Sequence, residues 1–412
     1  MQLVERHVIK SNHPHYQEID QLCFAAKNLY NFANYHIRQA FLNEKKYLNY
    51  NTIDKQLHSS EPYRALPAKV SQQVLLSLHR AWLSFFATNN AYLENSQAFL
   101  GRPKLPKYKQ KEKGRYFLVY TAQAVSKTLL KKGFISLSKT GVKIPTFVES
   151  GTLCQVRIVP KLNDYVIEVI YEKQETLLNF EPNLIAAIDI GVDNLAAVTS
   201  NKVGFVPLLV NGRPLKSINQ YYNQRSSKLK SQLKGSQHTS KRIQQLSKKR
   251  SFQVDDYLHK ASRLIINHLI ANQIGTLVIG QNPFWKQQVL MGKRNNQNFV
   301  FIPHARFVEL LSYKARLVGI KTIIHEESYT SLADFLKFDP IPVYVQAHCK
   351  LVTFSGKRIQ RGVYRSGTGV LIHADVNASF NILRKVIPTA FSQGIEGVVV
   401  RPVSVTPDKQ AA

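Results

Sequence analysis

Residues 184–190 read LIAAIDI, an apolar run that contains one acid near its end, and GVDN follows at 191–194. Two more apolar stretches come next, LAAVTSN at 195–201 and GFVPLLVNG at 204–212. The tight connections between them predict three antiparallel strands, the first of which presents Asp189 where the sheet interior meets solvent. A carboxylate at such a place is costly unless it binds a cation or accepts hydrogen bonds. Asp189 is therefore a candidate metal ligand, and a turn-capping aspartate is the alternative.

Two further strands extend this pattern after a long connection. GTLVIG at 275–280 predicts a fourth strand, residues 303–318 predict a helix, and KTIIHEE at 321–327 predicts a fifth strand. This order is that of an RNase H-like sheet, in which the fourth and fifth strands run parallel to the first. We expect an RNase H-like α/β domain over residues 182–412.

A second acid follows in LIHADVNASFNIL at 371–383, where Asp375 precedes a run with helical spacing. Aspartate is a preferred N-cap residue, because its carboxylate accepts from the first backbone N–H groups of a helix. Asp375 is thus either a cap or a second metal ligand, and one carboxylate can serve both roles.

The charge balance indicates the class of partner. The chain holds 56 Lys and Arg residues against 26 Asp and Glu residues, a formal net charge of +30 at pH 7. A surface this basic repels itself on compaction unless a polyanion neutralises it, which favours a nucleic acid as partner. A solvated basic surface or a ribosome-associated protein is the alternative explanation.

Other features of the sequence argue against a membrane or secreted protein. No apolar run approaches the roughly 20 residues of a spanning helix. The first seven residues, MQLVERH, lack the apolar core of a secretory signal. Cys23, Cys154 and Cys349 are widely separated, which argues against a disulfide framework and fits a reducing cytoplasm.

The N-terminal half predicts a β-barrel with helices inserted into its first hairpin. Residues 1–14 contain the first strand, and residues 15–97 show helical spacing for an inserted bundle of three or four helices. Residues 98–181 supply the remaining strands. The expected chain is thus an α+β multidomain protein, with this barrel and its inserted helical region followed by the RNase H-like domain.

Three basic segments are candidates for contact with nucleic acid. Residues 102–115 hold seven basic residues and one acid, and residues 213–250 hold eleven basic residues and no acid within a helical insertion over 213–272. KRNNQN at 293–298, next to Trp285, is the third, and Trp285 more often anchors a core than stacks on a base. The expected binding residues are Arg102, Lys104, Lys107, Lys109, Arg115, Arg225, Lys228, Lys230, Lys241, Arg242, Lys248, Lys249, Arg250, Lys293 and Arg294.

Several stretches together resemble the TnpB (OrfB-type) proteins of insertion sequences, which in turn resemble the ancestors of type V CRISPR effectors. DIGVDNLAA, GTLVIG, HEESYTS and ADVNASFNIL are similar to the RuvC-like core of that family. LCFAAKNLYNFANYHIRQAF, LPAKVSQQVL and FLGRPKLPKYKQKEKGRYFLVY resemble its helical and barrel regions. The resemblance implies cleavage of double-stranded DNA, directed by a guide RNA encoded with the element, beside a short target-adjacent motif. It also implies a location in the bacterial cytoplasm.

The resemblance further implies a site that holds two Mg²⁺ ions with three carboxylates. One ion activates the attacking water and the other stabilises the leaving oxygen, at a spacing of roughly 4 Å. Asp189 matches the family's first acid and Asp375 its last.

The family's middle acid, a glutamate at the end of the fourth strand, is missing here because Gly280 stands in its place. The parallel fifth strand is the neighbour of the fourth, so their ends lie about 5 Å apart. Glu326 and Glu327 stand at that end, and Gly280 leaves room for a longer side chain. We predict that Glu327 replaces the missing ligand, with Glu326 as the alternative. If both are solvated, the chain is an RNA-guided DNA-binding protein that does not cut.

A second departure concerns zinc. The family inserts a ribbon with two CxxC pairs between the fifth strand and the last acid, and tetrahedral zinc needs such ligands. Residues 332–370 contain only Cys349, beside His348, so we expect a remnant of that ribbon and no zinc. Basic residues of this segment are expected to touch nucleic acid instead, namely Lys350, Lys357, Arg358, Arg361 and Arg365.

Overall fold

The computed structural model describes residues 1–149, 151–282, 301–343 and 353–407. The chain divides into two compact units, Met1–Gln174 and Glu175–Ala412. Within the described ranges, every helix is too short or too polar to cross a membrane.

The first unit contains a four-stranded antiparallel sheet, a two-stranded sheet and helices, most of which lie between the first and second strands in the chain. The strands are β1 (Gln2–Ile9), β2 (Leu118–Thr121), β3 (Phe134–Ser136), β4 (Lys143–Pro145), β5 (Leu153–Lys161) and β6 (Asp164–Glu172). The helices are α1 (Tyr16–Asn43), α2 (Tyr50–Leu57), α3 (Glu61–Arg64), α4 (Ala68–Glu94) and α5 (Lys127–Lys131), with short 3₁₀ turns at Ser96–Ala98 and Ala122–Ala124. The predicted strand at the N-terminus and the predicted helices of residues 15–97 are confirmed.

The described residues show an open sheet where the sequence predicts a β-barrel. Four strands form an open sheet in the order β1-β6-β5-β2, and β3 pairs only with β4. The reason is the long hairpin of β5 and β6, which pair along their full length and lie between β1 and β2. The edge strand β2 has only four residues and pairs with β5. For the same reason, β1 and β2 do not form the hairpin into which the helices were expected to be inserted.

Aromatic residues of α1 and α4 lie in the core of the helical group. Trp82 is fully buried, and its indole N–H donates to Asn34 Oδ1 at 3.0 Å. The Asn34 amide in turn donates to the carbonyl of Pro106 at 3.0 Å. These hydrogen bonds attach the basic segment of residues 102–115 to the helices.

The second unit is built on a mixed six-stranded sheet with the order β11-β10-β7-β8-β9-β15. Its strands are β7 (Glu181–Ile190), β8 (Asn194–Ser200), β9 (Leu208–Asn211), β10 (Ile274–Gly280), β11 (Lys321–His325) and β15 (Val403–Val405). A separate small sheet contains β12 (Lys357–Gln360), β13 (Val363–Arg365) and β14 (Leu371–His373). The helices are α6 (Arg213–Lys230), α7 (Lys241–Ala271), α8 (His304–Leu317) and α9 (Ala374–Val386), followed by a 3₁₀ turn at Pro388–Phe391.

The predicted order and direction of the first five strands are confirmed. β7, β8 and β9 form an antiparallel meander, and β10 and β11 run parallel to β7 on its other side. The two predicted helices of the long basic connection are α6 and α7, with Gly235 between them. β15, which pairs with β9 at the far edge, is an addition that the sequence did not indicate.

The two faces of this sheet are covered by different helices. Ala186 and Ile188 point to the face packed with residues of α7 and α8, whereas Ala187 points to the face packed with α9. Successive side chains of a strand alternate between faces, so Asp189 shares the α9 face with Ala187. By the same alternation, Gly280 shares that face with Val278 of β10. The fold therefore brings the ends of β7 and β10 to the same side as α9.

Candidate active site

Asp375 lies in the first turn of α9, and a different residue caps the helix. The helix begins at Ala374, and the side chain of His373 accepts a hydrogen bond from the Asp375 N–H at 3.2 Å. The alternative that Asp375 is the N-cap is therefore wrong. Its carboxylate instead accepts from the Asn194 amide at 2.8 Å, and its place in the first turn is favourable for a negative charge.

Glu327 fills space that an ordinary side chain at position 280 would take. A Cβ atom built on Gly280 would lie 2.5 Å from Glu327 Oε2 and 2.5 Å from Ile382 Cδ1. Strand β11 ends at His325, and the backbone N–H of Glu327 then donates to Asn282 Oδ1 at 3.0 Å. The glycine on β10 and the glutamate after β11 thus fit together at the α9 face.

Burial and neighbouring carboxylates raise the pKa values of Asp189 and Glu327. Burial raises the pKa of Asp189 well above its usual range, and the charges of Glu327 and Asp375 raise it further. Burial and the charge of Glu326 also raise the pKa of Glu327, to about 7. The charges of Arg358 and Lys385 lower the pKa of Asp189 and of Glu327, respectively, without offsetting the rise, so a bound cation would stabilise the ionised acids further.

Glu326 has a different environment from Glu327. Its Oε1 lies 2.5 Å from the Lys385 ammonium, and its Oε2 accepts from the Ser328 N–H at 2.8 Å. Burial raises the pKa of Glu326, but the hydrogen bonds from Lys385 and Ser328 outweigh it, so the net shift is downward. The negative charge of Glu326 is therefore already paired with an internal positive charge.

The fit of a divalent cation can be tested on the atoms present. Glu327 Oε2 is buried, and no group in the described ranges donates a hydrogen bond to it. Carboxylate oxygens are the ligands that Mg²⁺ prefers, so the donor set of Asp189, Glu327 and Asp375 suits that ion. As the side chains stand, however, no three His, Cys, Asp or Glu residues in the described parts of the chain gather closely enough to hold one ion. The chemistry of the donors fits the metal, and the carboxylates would have to draw together around it.

Most of the predicted nucleic-acid-binding residues lie at the surface of their unit. The exposed ones are Arg102, Lys104, Lys107, Arg225, Lys228, Lys230, Lys241, Arg242 and Lys249. The partly buried ones are Lys109, Arg115, Lys248 and Arg250.

Some partly buried basic residues already have internal partners. Arg115 pairs with Asp20 at 2.6 Å, and Arg250 donates to Asn219 Oδ1 at 2.7 Å and to the Phe301 carbonyl at 2.8 Å. Trp285, Lys293, Arg294, His348, Cys349 and Lys350 lie outside the described residues.

Three polar residues near the acids were missed by the sequence analysis. Asn194 orients Asp375, Asn282 holds the backbone of Glu327, and Lys385 pairs with Glu326. A signal for Asn282 was available, because it follows the carboxyl end of a parallel strand, where functional side chains gather. The position of Lys385 on α9 carries no comparable signal.

Two buried aspartates join the parts of the segment that was expected to be a remnant of a zinc ribbon. Asp334 Oδ2 accepts from Ser366 Oγ and from the Gly367 N–H, both at 2.7 Å. Asp339 Oδ2 accepts from the N–H groups of Asp334 and Ser355, both at 2.9 Å. Hydrogen bonds to carboxylates therefore connect residues 334–339 with residues 355–367.

Replacing Asp334 with alanine is expected to lower the free energy of unfolding by about 2–4 kcal/mol, because buried donors lose a charged acceptor. The midpoint of chemical denaturation of the second unit, followed by circular dichroism, measures this change. Asp256→Ala is the control, since that aspartate is 61% exposed and its pair with Lys260 lies at the surface. Equal midpoints for the two variants would contradict the expectation.

Two family models match the chain. Residues 168–284 match the OrfB_IS605 model, described as a probable transposase. Residues 304–382 match the model of the Cas12f1-like TNB domain. No curated protein matches the chain.

Among the solved structures similar to the chain are three of CRISPR effector proteins. A Cas12f1-sgRNA-target DNA complex shows 16% identity and a TM-score of 0.36, covering 92% of this chain and 98% of that one. The mini-RNA-guided endonuclease CRISPR-Cas_phi3 shows 9% identity and a TM-score of 0.44, with coverages of 98% and 94%. C2c1 of Alicyclobacillus acidoterrestris with single-guide RNA shows 9% identity and a TM-score of 0.42, with coverages of 90% and 70%.

The two family matches cover most of the second unit, including Asp189, Glu327 and Asp375. Through these segments the chain is similar to the OrfB_IS605 probable transposases and to the Cas12f1-like TNB domain.

Proposed function

We propose that the chain is an RNA-guided DNA endonuclease of an insertion sequence, with a RuvC-like site in its second unit. The observation that carries this proposal is the Glu327 carboxylate, which occupies the side-chain space of Gly280 on the face shared with Asp189. The acid missing from β10 is thereby replaced by one that follows β11. The proposed ligands are Asp189, Glu327 and Asp375.

The sheet supports this assignment because it brings three distant segments to one edge. Asp189 is the next-to-last residue of β7, Glu327 follows the edge strand β11, and Asp375 lies in the first turn of the helix packed on the same face. An RNase H-like domain over residues 182–412 has this arrangement. We further propose that residues 15–97 form the recognition region, that residues 98–181 complete the β domain and that residues 213–272 are a basic helical insertion.

The residues around the acids would prepare them for metal binding. Bound at this site, two Mg²⁺ ions would supply an attacking water and stabilise the leaving oxygen of a phosphodiester. Asn194 holds one oxygen of Asp375, which fixes the direction of the other. Asn282 fixes the backbone of Glu327, so its side chain reaches the Gly280 space. Groups held in advance in this way lose less freedom when the substrate binds.

The proposed partners are a guide RNA encoded with the element and double-stranded target DNA. Similar proteins have been solved with guide RNA and target DNA, and the net charge of +30 suits a large polyanion. The exposed basic residues of α6 and α7 form the most one-sided candidate surface, since residues 213–250 contain no acid. A bacterial cytoplasmic location follows from the same proposal.

A second candidate function is RNA-guided DNA binding without cleavage. It is favoured by one observation, the absence from the described residues of three acids gathered closely enough to hold one ion. A protein of this kind would keep the fold and the basic surfaces and would block its target instead of cutting it.

The test is cleavage of a target plasmid by the protein with its co-purifying RNA and Mg²⁺. Asp189→Ala is expected to lower the cleavage rate by at least roughly 100-fold, because losing a ligand removes several kcal/mol of transition-state stabilisation. RNA affinity should change by less than about twofold, since nucleic-acid affinity comes mainly from phosphate contacts.

Three other outcomes would each change the proposed function or the role of Asp189. Target binding by the native protein without cuts would favour the second candidate function. A large loss of RNA affinity in Asp189→Ala would identify Asp189 as a structural acid. Sequencing of the co-purifying RNA tests the guide itself, and its absence would overturn both functions.

A further inference from the structure

Lys385 is a nearly buried lysine in the last turn of α9, and only 4% of its side chain is exposed. Its ammonium lies 2.5 Å from Glu326 Oε1 and donates to the carbonyl oxygen of Ser328 at 2.8 Å. A third bond reaches the Pro342 carbonyl at 3.2 Å. Two hydrogen bonds and one ion pair thus hold this buried ammonium at the end of α9.

Two of these partners flank Glu327 in the chain. Lys385 contacts the side chain of Glu326, which precedes Glu327, and the backbone carbonyl of Ser328, which follows it. On the opposite side, Asn282 accepts from the Glu327 N–H, and the Thr330 hydroxyl donates to the Glu327 carbonyl at 2.8 Å. The backbone of Glu327 is thus held between α9, the end of β10 and its own loop.

The pairing also distinguishes the two neighbouring glutamates. Glu326 and Glu327 repel each other, and only one of them can occupy the Gly280 space. Lys385 neutralises Glu326 and turns its carboxylate toward α9, which leaves Glu327 for the face of Asp189. An ion pair that merely stabilised the loop would not depend on which of the two acids it bound.

We propose that Lys385 is a positioning residue that binds Glu326 and thereby presents Glu327, rather than Glu326, to a divalent metal. The inference rests on the proposed function and deepens it, because it explains which acid replaces the missing ligand of β10. It assigns Glu326 a supporting role in place of the alternative ligand role.

The experiment compares Lys385→Met with a control at an exposed lysine of the same unit, Lys337→Met. The other variants are Lys385→Arg, Glu326→Gln, Glu327→Gln and the double variant Glu326→Gln/Lys385→Met. Mn²⁺ binding is measured by electron paramagnetic resonance on the RNA-free full chain. The Mg²⁺ concentration at half-maximal cleavage is measured on the protein with its guide RNA, and melting temperatures are recorded for all variants.

Lys385→Met is expected to weaken Mn²⁺ binding and raise the half-maximal Mg²⁺ concentration, each by about tenfold, the lower range for residues that orient metal ligands. Lys385→Arg should recover part of the loss, because a guanidinium can still bind Glu326. Glu326→Gln should weaken binding less than Glu327→Gln. The double variant Glu326→Gln/Lys385→Met should be no worse than Lys385→Met, since both changes remove one interaction.

Failure of the inference and failure of the proposed function are distinguishable. If Mn²⁺ binding is lost in Glu327→Gln but unchanged in Lys385→Met, the inference is overturned and the proposed function stands. If Glu327→Gln binds Mn²⁺ like the native chain, both are overturned. A lower melting temperature of Lys385→Met with native Mn²⁺ affinity below that temperature would identify a purely structural ion pair and overturn the inference.

Discussion

Glu327→Gln is expected to lower the rate of DNA cleavage by roughly 10²–10³-fold, which corresponds to about 3–4 kcal/mol of lost transition-state stabilisation. Glutamine has nearly the same shape as glutamate, so the Gly280 space stays filled and the fold is kept. The charge that would hold the metal is removed. The measurement is the single-turnover rate on a target plasmid with saturating guide RNA, together with RNA affinity, which should be unchanged.

The matched control for this variant is Glu309→Gln on α8. Its carboxylate is 67% exposed and forms only a surface pair with Arg306, so cleavage and stability should stay at native values. Native cleavage by Glu327→Gln, or a larger loss in Glu326→Gln, would show that Glu327 is not the relocated ligand.

Gly280→Ala is expected to lower cleavage by at least roughly 100-fold, because one methyl group would displace the proposed ligand. The new Cβ would lie 2.5 Å from Glu327 Oε2 and 2.5 Å from Ile382 Cδ1, the ends of two flexible side chains, so both side chains would have to move. The side chain of Glu327 would therefore swing out of the site. The single-turnover cleavage rate and the melting temperature together show whether the loss is local.

Gly275→Ala is the matched control on the same strand. A Cβ there would lie 3.1 Å from Phe180 Cβ and 3.2 Å from the Glu181 carbonyl, so small shifts can accommodate it. Native cleavage by Gly280→Ala would mean that Glu327 need not occupy this space.

Moving the acid from position 327 to position 280 is expected to restore part of the cleavage rate. Glu327→Ala removes the proposed ligand, and adding Gly280→Glu to it returns a carboxylate to β10. We expect the double variant to cleave at least about tenfold faster than Glu327→Ala alone, because a metal ligand is regained. Equal rates would argue against a shared place for the two acids.

The second unit could be predicted further than the first because its signals are local. The apolar runs around Asp189, 275–280 and 321–325 each have the length and composition of one strand, and a parallel order follows from the helix between them. The first unit depends on which strands pair over long distances. The sheet is open, with β5 paired to β6 along most of its length. The short sequence of β2 gives no signal of this arrangement.

Side-chain partners were predicted less well than backbone elements. Asp375 resembles an N-cap by residue type, yet His373 takes that role because the helix begins one residue before Asp375. A shift of one residue is within the usual uncertainty of a helix end read from sequence. The contacts of Asp334 with Ser366 and of Lys385 with Glu326 join residues 32 and 59 positions apart, which periodicity does not report.

The close fit of Glu327 against Gly280 means that positions 280 and 327 cannot both carry a large side chain. Two large side chains would overlap there, because both would occupy the space beside Ile382. In related chains that keep this geometry, an acid on the fourth strand should therefore coincide with a small residue after the fifth, and the reverse. A survey that inspects the fourth strand alone would count such a chain among the inactive ones, whereas one that inspects the pair would not.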